Sequence, residues 1–187
     1  MTAEQTAHQA GTDEFGRGVL ALAPAVAGSP QVRTVFGRYA ASVGAICALI
    51  DGTPVGLVAT SLAVGASYDP PMVTFSCRKE SRTWPVLRSA PRIGVSVLGE
   101  GQAAACAQIA GPATARFRGI DLHGTAEGAL FVRNAMTWLD CRIAAEVEVG
   151  DHVVVVLELV EAGHDRATNP LIFLDGEFPT LRRAAAP

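Results

Sequence analysis

Ala45-Ile46-Cys47-Ala48-Leu49-Ile50-Asp51-Gly52-Thr53-Pro54-Val55-Gly56-Leu57-Val58-Ala59 is the stretch that decides the fold. A continuous apolar run, Ala45 to Ile50, meets Asp51-Gly52, and a second apolar run returns from Pro54 to Ala59. Asp-Gly between two such runs is a strong hairpin signal, because both residues tolerate the positive φ that a tight antiparallel turn requires. The chain is therefore expected to be built from strands joined by short turns.

Outward from the hairpin the same grammar recurs. After Thr60-Ser61 the spacing predicts a loop, then Asp69-Pro70-Pro71, which neither a helix nor a central strand accommodates. Met72 to Ser76 reads as a short strand, Ser81 to Ser89 as a helix with Ser81 as N-cap and Pro85 near its first turn, and Arg92 to Leu98 as a strand. Gln102 to Ile109 is Ala-rich and helical, and 111 to 128 is a polar, glycine-bearing loop with a turn of helix near Phe117. Two long apolar-rich runs, Met136 to Val149 and His152 to Val160, flank Gly150-Asp151, a second hairpin signal, and Leu171 to Leu174 closes the set. Upstream, Val32, Val35, Phe36 and Tyr39 recur at helical spacing over Gln31 to Ala41. Residues 1 to 30 read as a poorly ordered arm, and 31 to 183 as one domain. Six or seven strands without β-α-β alternation exclude a doubly wound sheet and leave a closed antiparallel barrel or a sandwich with peripheral helices.

Composition narrows the function. The 187 residues are 49% hydrophobic and 18% charged, with a net charge of -3, which argues against nucleic acid as a partner. Mean hydropathy is +0.28 with few aromatics, as in tightly packed strands or a chain whose apolar face a second subunit completes. No apolar run approaches the roughly 18 residues of a membrane helix, and the polar, acidic N-terminus lacks a signal-peptide pattern, so a cytoplasmic protein is expected. Cys47, Cys77, Cys106 and Cys141 show no CxxC spacing and read as buried reduced thiols.

Three kinds of chemistry find little footing. Gly99-Glu100-Gly101-Gln102-Ala103-Ala104 matches a GxGxxA dinucleotide fingerprint, with Asp121 downstream, but no second parallel strand follows its helix. There is no GxSxG elbow, and His8, His123, His152 and His164 are scattered, which disfavours a hydrolytic or metal centre. What stands out is Thr60 to Thr83. Thr60-Ser61 ends a strand, and Arg78, Lys79, Ser81 and Thr83 place two cations and two hydroxyls at the expected start of a helix, a composition suited to phosphate. The structural alternatives are capping for Ser81 and solvated charge for Arg78 and Lys79.

These segments, in order, resemble a known family. Phe36-Gly37-Arg38-Tyr39-Ala40, Asp51-Gly52-Thr53-Pro54-Val55-Gly56, Thr60-Ser61-Leu62 and Tyr68-Asp69-Pro70-Pro71-Met72-Val73 come first. Ser81-Arg82-Thr83-Trp84, Ile93 to Leu98, Arg116-Phe117, Leu139-Asp140-Cys141, Gly150-Asp151-His152 and Asn169 to Phe173 with Gly176 follow. From about Arg33 to Leu181 the chain resembles the flavin reductase-like family with the FMN-binding split barrel, the short-chain reductase components of two-component flavin monooxygenases.

The resemblance implies a mainly β fold with peripheral helices, a split antiparallel β-barrel forming a homodimer. It implies transfer of hydride from NAD(P)H to FAD or FMN, with reduced flavin passed to a partner monooxygenase; the lack of a surplus of Arg beyond the flavin site favours NADH over NADPH. By similarity Thr60, Ser61 and the Leu62 backbone address the flavin ring, Cys77 and Arg78 line its tail, and Ser81 and Thr83 hold phosphate. His152 sits beside the nicotinamide, with Phe178 the second candidate there. Such a reaction needs no protein nucleophile, because hydride passes between two stacked rings. A non-catalytic flavin carrier and a pyridoxine-phosphate-oxidase-like enzyme are the alternatives on related barrels.

Overall fold

A computed structural model describes residues 9–12, 18–20 and 22–182. The chain divides into two compact units, residues 1–38 and 39–187. In the first, β1 (Gln9–Thr12) pairs antiparallel with β2 (Gly18–Leu20), and α1 (Pro30–Gly37) follows. Ser29 caps α1, its Oγ accepting the Val32 N–H at 3.4 Å, with Pro30 in the first turn, where a missing N–H costs nothing. The expected arm over residues 1 to 30 lies in good part outside the described residues.

The second unit holds β3 (Ala41–Ser42), β4 (Gly44–Ile50), β5 (Thr53–Ala59), β6 (Ala63–Tyr68), β7 (Pro71–Arg78), α2 (Trp84–Leu87), β8 (Ile93–Val97) and α3 (Ala103–Ala110). β9 (Leu122–Gly124), β10 (Leu130–Val132), β11 (Thr137–Val149), β12 (His152–His164) and β13 (Ile172–Phe173) complete it. Seven of these strands form one sheet in the order β5-β4-β8-β11-β12-β7-β6, with every pairing antiparallel.

The connection between the two edge strands shows that this sheet is rolled. Laid flat, β5 and β6 would stand six strand spacings apart, roughly 29 Å. Yet Thr60, Ser61 and Leu62 alone connect Ala59 to Ala63, and four residue steps reach at most about 14 Å. The two ends of the sheet must meet. A side chain seals the meeting: the Ser61 hydroxyl donates to the Ser76 carbonyl at 3.1 Å and accepts the Ser76 N–H at 2.9 Å, standing in for one rung of a ladder. The result is a split antiparallel barrel with helices at its periphery.

Its interior is filled by alternate residues, among them Ile46, Phe75, Ile93, Val95, Val155 and Leu157. α2 contributes Trp84 and Leu87 to this core, and the Trp84 indole meets the Phe75 ring edge-on at 5.3 Å. The opposite face of β4 is buried as well. There Val43, Ala45 and Cys47 pack with Leu98, Cys106, Ile109, Leu130 and Val132 beneath α3 and the β9–β10 hairpin, so β4 is sandwiched between two cores. Gly94 permits this layering: a Cβ there would lie 2.2 Å from the Leu130 carbonyl oxygen.

Both expected hairpin turns are present. Asp51 and Gly52 have φ of 48° and 74°, and Gly150 has φ of 57° between the paired residues Val149 and His152. Three expectations need correction. The loop expected after Ser61 contains edge strand β6, whose small residues and bulge between Val64 and Ser67 disguise its alternation. The polar loop of 111 to 128 contains β9, paired with β10. The helix expected over Ser81 to Ser89 is the single turn Trp84–Leu87, because Ser81 begins a turn, with its Oγ accepting the Trp84 N–H at 3.1 Å.

Candidate functional site

The seam of the barrel opens into a cleft. A hollow of about 510 Å³ is lined by residues 57 to 61 of β5 and its extension, by Ser76, Cys77 and Arg78 of β7, by Glu80 and Ser81, and by His152. Its size suits a small-molecule site. The order of groups along it follows from the strand register. Ser61 binds Ser76 at one end; Cys77 comes next; Arg78 lies opposite His152 across the β7–β12 ladder; and the Ser81 N–H bonds to the Arg78 carbonyl at 3.0 Å, turning the chain back.

Each side chain is prepared differently. The Ser81 Oγ accepts from Trp84, which leaves its own O–H to donate to a ligand. Arg78 makes no ion pair among the described residues, so its guanidinium is available at the cleft wall. His152 Nδ1 lies 2.8 Å from Asp151 Oδ1, and this contact, reinforced by Arg78, holds the Asp151 carboxyl below the usual carboxylate range. Burial, then the nearby Glu146 carboxylate, pushes the Cys77 thiol up, so it lines the cleft as a neutral group. Cys47 and Cys141, on other strands, are pushed up to about 12 by burial, and all four cysteines are buried free thiols.

Thr60, Ser61, Cys77, Arg78, Ser81 and His152 thus meet in one cleft. Leu62, Thr83 and Phe178 do not line it. Leu62 packs its side chain on the barrel core, the Phe178 ring meets Phe173 at 5.5 Å with the two rings tilted, and the Thr83 hydroxyl accepts from Arg116 Nη1 at 2.6 Å in a neighbouring hollow. Ser76 and Glu80 were missed. Ser76 shares the face of Arg78 two residues on, a strand alternation that would have pointed to it. Lys79 is committed to Glu148 at 2.7 Å and borders an adjoining hollow with Arg78, Glu80 and Asp151.

The GxGxxA turn is occupied by its own protein. The Gly99 N–H donates to Gln102 Oε1 at 2.8 Å and the Glu100 N–H to the Asn169 carbonyl at 2.9 Å. A Cβ on Gly99 would lie 2.4 Å from Thr168 Cγ2, and Asp121 pairs with Arg133 at 2.8 Å. Among the described residues no parallel strand follows α3.

Residues 36–182 match the model of the flavin reductase like domain. The chain belongs to that family. Among its relatives in this family is the reductase subunit HsaB of a flavin-dependent monooxygenase from Rhodococcus jostii, 30% identical over 79% of this chain and 75% of that one. The reductase component of a 4-nitrophenol 4-monooxygenase/4-nitrocatechol 2-monooxygenase from Rhodococcus opacus is 33% identical over 79% of this chain and 78% of its own. Among solved structures, the NADH:FAD oxidoreductase SgcE6 of Streptomyces globisporus, in complex with NAD and FAD fragments, superposes with a TM-score of 0.78. It is 29% identical, covering 83% of this chain and 94% of its own. Among the described residues no helix is long and apolar enough to cross a membrane.

Proposed function

We propose that this flavin reductase family member transfers hydride from NADH to FAD or FMN bound along the seam cleft, and supplies the reduced flavin to a partner monooxygenase in the cytoplasm. The observation that carries the reading is the convergence of Thr60, Ser61, Cys77, Arg78, Ser81 and His152 on one cleft of a chain whose relatives are named as such reductases.

The residues present fit a phosphate-bearing flavin. Arg78 brings a guanidinium that makes no ion pair among the described residues and Ser81 a hydroxyl with a hydrogen to give, two donors suited to a phosphate. Because α2 is one turn long, anchoring rests on these side chains and not on a helix dipole. Ser61 has given its hydroxyl to Ser76, so its part is to hold the strand end where Thr60 presents its own. The flavin and nicotinamide rings supply the hydride chemistry when bound, and the protein contributes orientation and exclusion of water. Asp151 steadies the His152 ring through Nδ1 and leaves Nε2 for the nicotinamide side of the cleft. NADH is favoured over NADPH because Lys79, the cation beside Arg78, is already neutralised by Glu148.

A homodimer is part of the same reading. Val154 and Val156 alternate with the fully buried Val155 and Leu157, so they face away from the barrel core. They pair with Val147 and Ala145 on β11, where Val147 and Val149 are 51% and 54% exposed. An outward valine stripe beside His152 suits a second copy of the chain. Sedimentation equilibrium giving twice the chain mass supports this, and a monomer at micromolar concentration contradicts it.

The direct test is NADH oxidation by purified protein with and without added FMN or FAD. Turnover that saturates with flavin is expected. Tight flavin binding without NADH oxidation would replace the enzyme with a carrier, and oxygen-dependent amine turnover would replace it with an oxidase.

A further inference from the structure

Thr83 lies one turn from the cleft, yet its hydroxyl faces the other way. Behind the cleft Arg116 gathers three segments. Its Nε donates to the Gly111 carbonyl at 2.9 Å, and the two hydrogens of Nη1 reach the Gly56 carbonyl at 2.8 Å and Thr83 Oγ1 at 2.6 Å. Gly56 immediately precedes Leu57, where the β5 wall of the cleft begins, and Thr83 stands two residues after Ser81, where the opposite wall ends. One guanidinium therefore ties the two walls together from outside. The neighbouring side chain secures the arrangement: Phe117 packs so closely on Gly56 that a Cβ there would lie 2.9 Å from its ring and 2.6 Å from Cys47 Sγ.

We propose that Arg116 is a positioning residue for flavin phosphate recognition, acting through Thr83 and never touching the ligand itself. This rests on the proposed flavin site. Guanidinium geometry explains why an arginine is needed: its planar fork meets three acceptors in fixed directions, which a single ammonium cannot do. The bonds are partly buried, where a lost partner leaves an unsatisfied carbonyl or hydroxyl. With the tie cut, the Ser81 hydroxyl is free to drift from the Arg78 guanidinium, and a donor pair set for one phosphate is set for none. Thr83, assigned to phosphate by family resemblance, becomes the link between Arg116 and the cleft wall.

The experiment is fluorescence titration of the full-length protein with FMN and with riboflavin, which lacks the phosphate. Thr83→Val keeps the shape and loses the acceptor; it should raise the FMN Kd about tenfold and the riboflavin Kd by less than about twofold. Thr83→Ser should restore FMN binding. Arg116→Lys should match Thr83→Val, and the double variant should be no worse than either alone, because both cut one tie. Multiplying effects in the double variant would show that Thr83 meets the phosphate independently and overturn the inference, as would an unchanged FMN Kd in Thr83→Val. Equal weakening of riboflavin and FMN would reduce Arg116 to a general structural support and overturn it too. Should Arg116→Lys fail to fold, the Thr83→Val and Thr83→Ser pair still decides, through the FMN-to-riboflavin ratio. If the unmodified protein binds no flavin, the functional reading and this inference fall together; if it binds and Ser81→Ala weakens FMN while Thr83→Val does not, only the inference falls.

Discussion

Two strand-to-helix turns in this chain invite the same reading, and the structure separates them. The turn from Arg78 to Trp84 follows β7, and the turn from Gly99 to Gln102 follows β8. The second carries the recognisable glycine motif, yet its amides bond to Gln102 and Asn169 and its surface is covered by Thr168. The first has no motif of comparable fame, yet it opens on a cleft with a guanidinium that makes no ion pair among the described residues and a hydroxyl able to donate. A phosphate site is defined by donors left unsatisfied at an open surface, and not by glycine spacing.

Substitutions can test that contrast from both sides. The largest effect belongs to the cleft. Arg78→Ala combined with Ser81→Ala should raise the FMN Kd roughly 10–100-fold, from loss of charge-assisted bonds, measured by flavin fluorescence quenching. An unchanged Kd would remove the cleft turn from the comparison. Next in size is Gly99→Val, whose side chain must displace Thr168; it should cost about 1–3 kcal/mol of stability while flavin affinity holds. Thermal unfolding with a parallel titration checks both halves, and a selective loss of flavin or NADH binding would restore the glycine turn as a site. His152→Ala should raise the KM for NADH several-fold with little change in flavin Kd, and equal kinetics would return His152 to a hairpin residue paired with Asp151. The smallest effect is expected at Gly101, where an added Cβ meets nothing within 4 Å. Gly101→Ala should change stability by less than about 0.5 kcal/mol and leave both affinities untouched, whereas a dinucleotide lying on that turn would be felt there first.

Much of the architecture was legible because it is local. Asp51-Gly52 and Gly150-Asp151 specify their turns within a few residues, and the apolar runs around them have nowhere to go but a sheet. β6 was not legible, since its pairing with β7 depends on the sheet edge and not on its own alternation. The same division runs through the site. Arg78 and Ser81 stand close in sequence and advertised their chemistry. Ser61 is bound to a partner 15 residues away, and Arg116 to partners 33 and 60 residues away, so only the rolled sheet reveals that one seals the seam and the other braces its walls. The length of α2 was overestimated for a related reason. Ser81 serves a hydroxyl-capped turn before the helix, and a Ser followed by Trp-Pro reads the same in either setting.

In the proposed function, flavin lies along the seam between Ser61 and Ser81. A crystal structure of the protein soaked with FMN tests it most directly. Density is expected in that cleft, with the phosphate within hydrogen-bond distance of Arg78 and Ser81. Density over the Gly99 to Ala104 turn, with the seam empty, would contradict it.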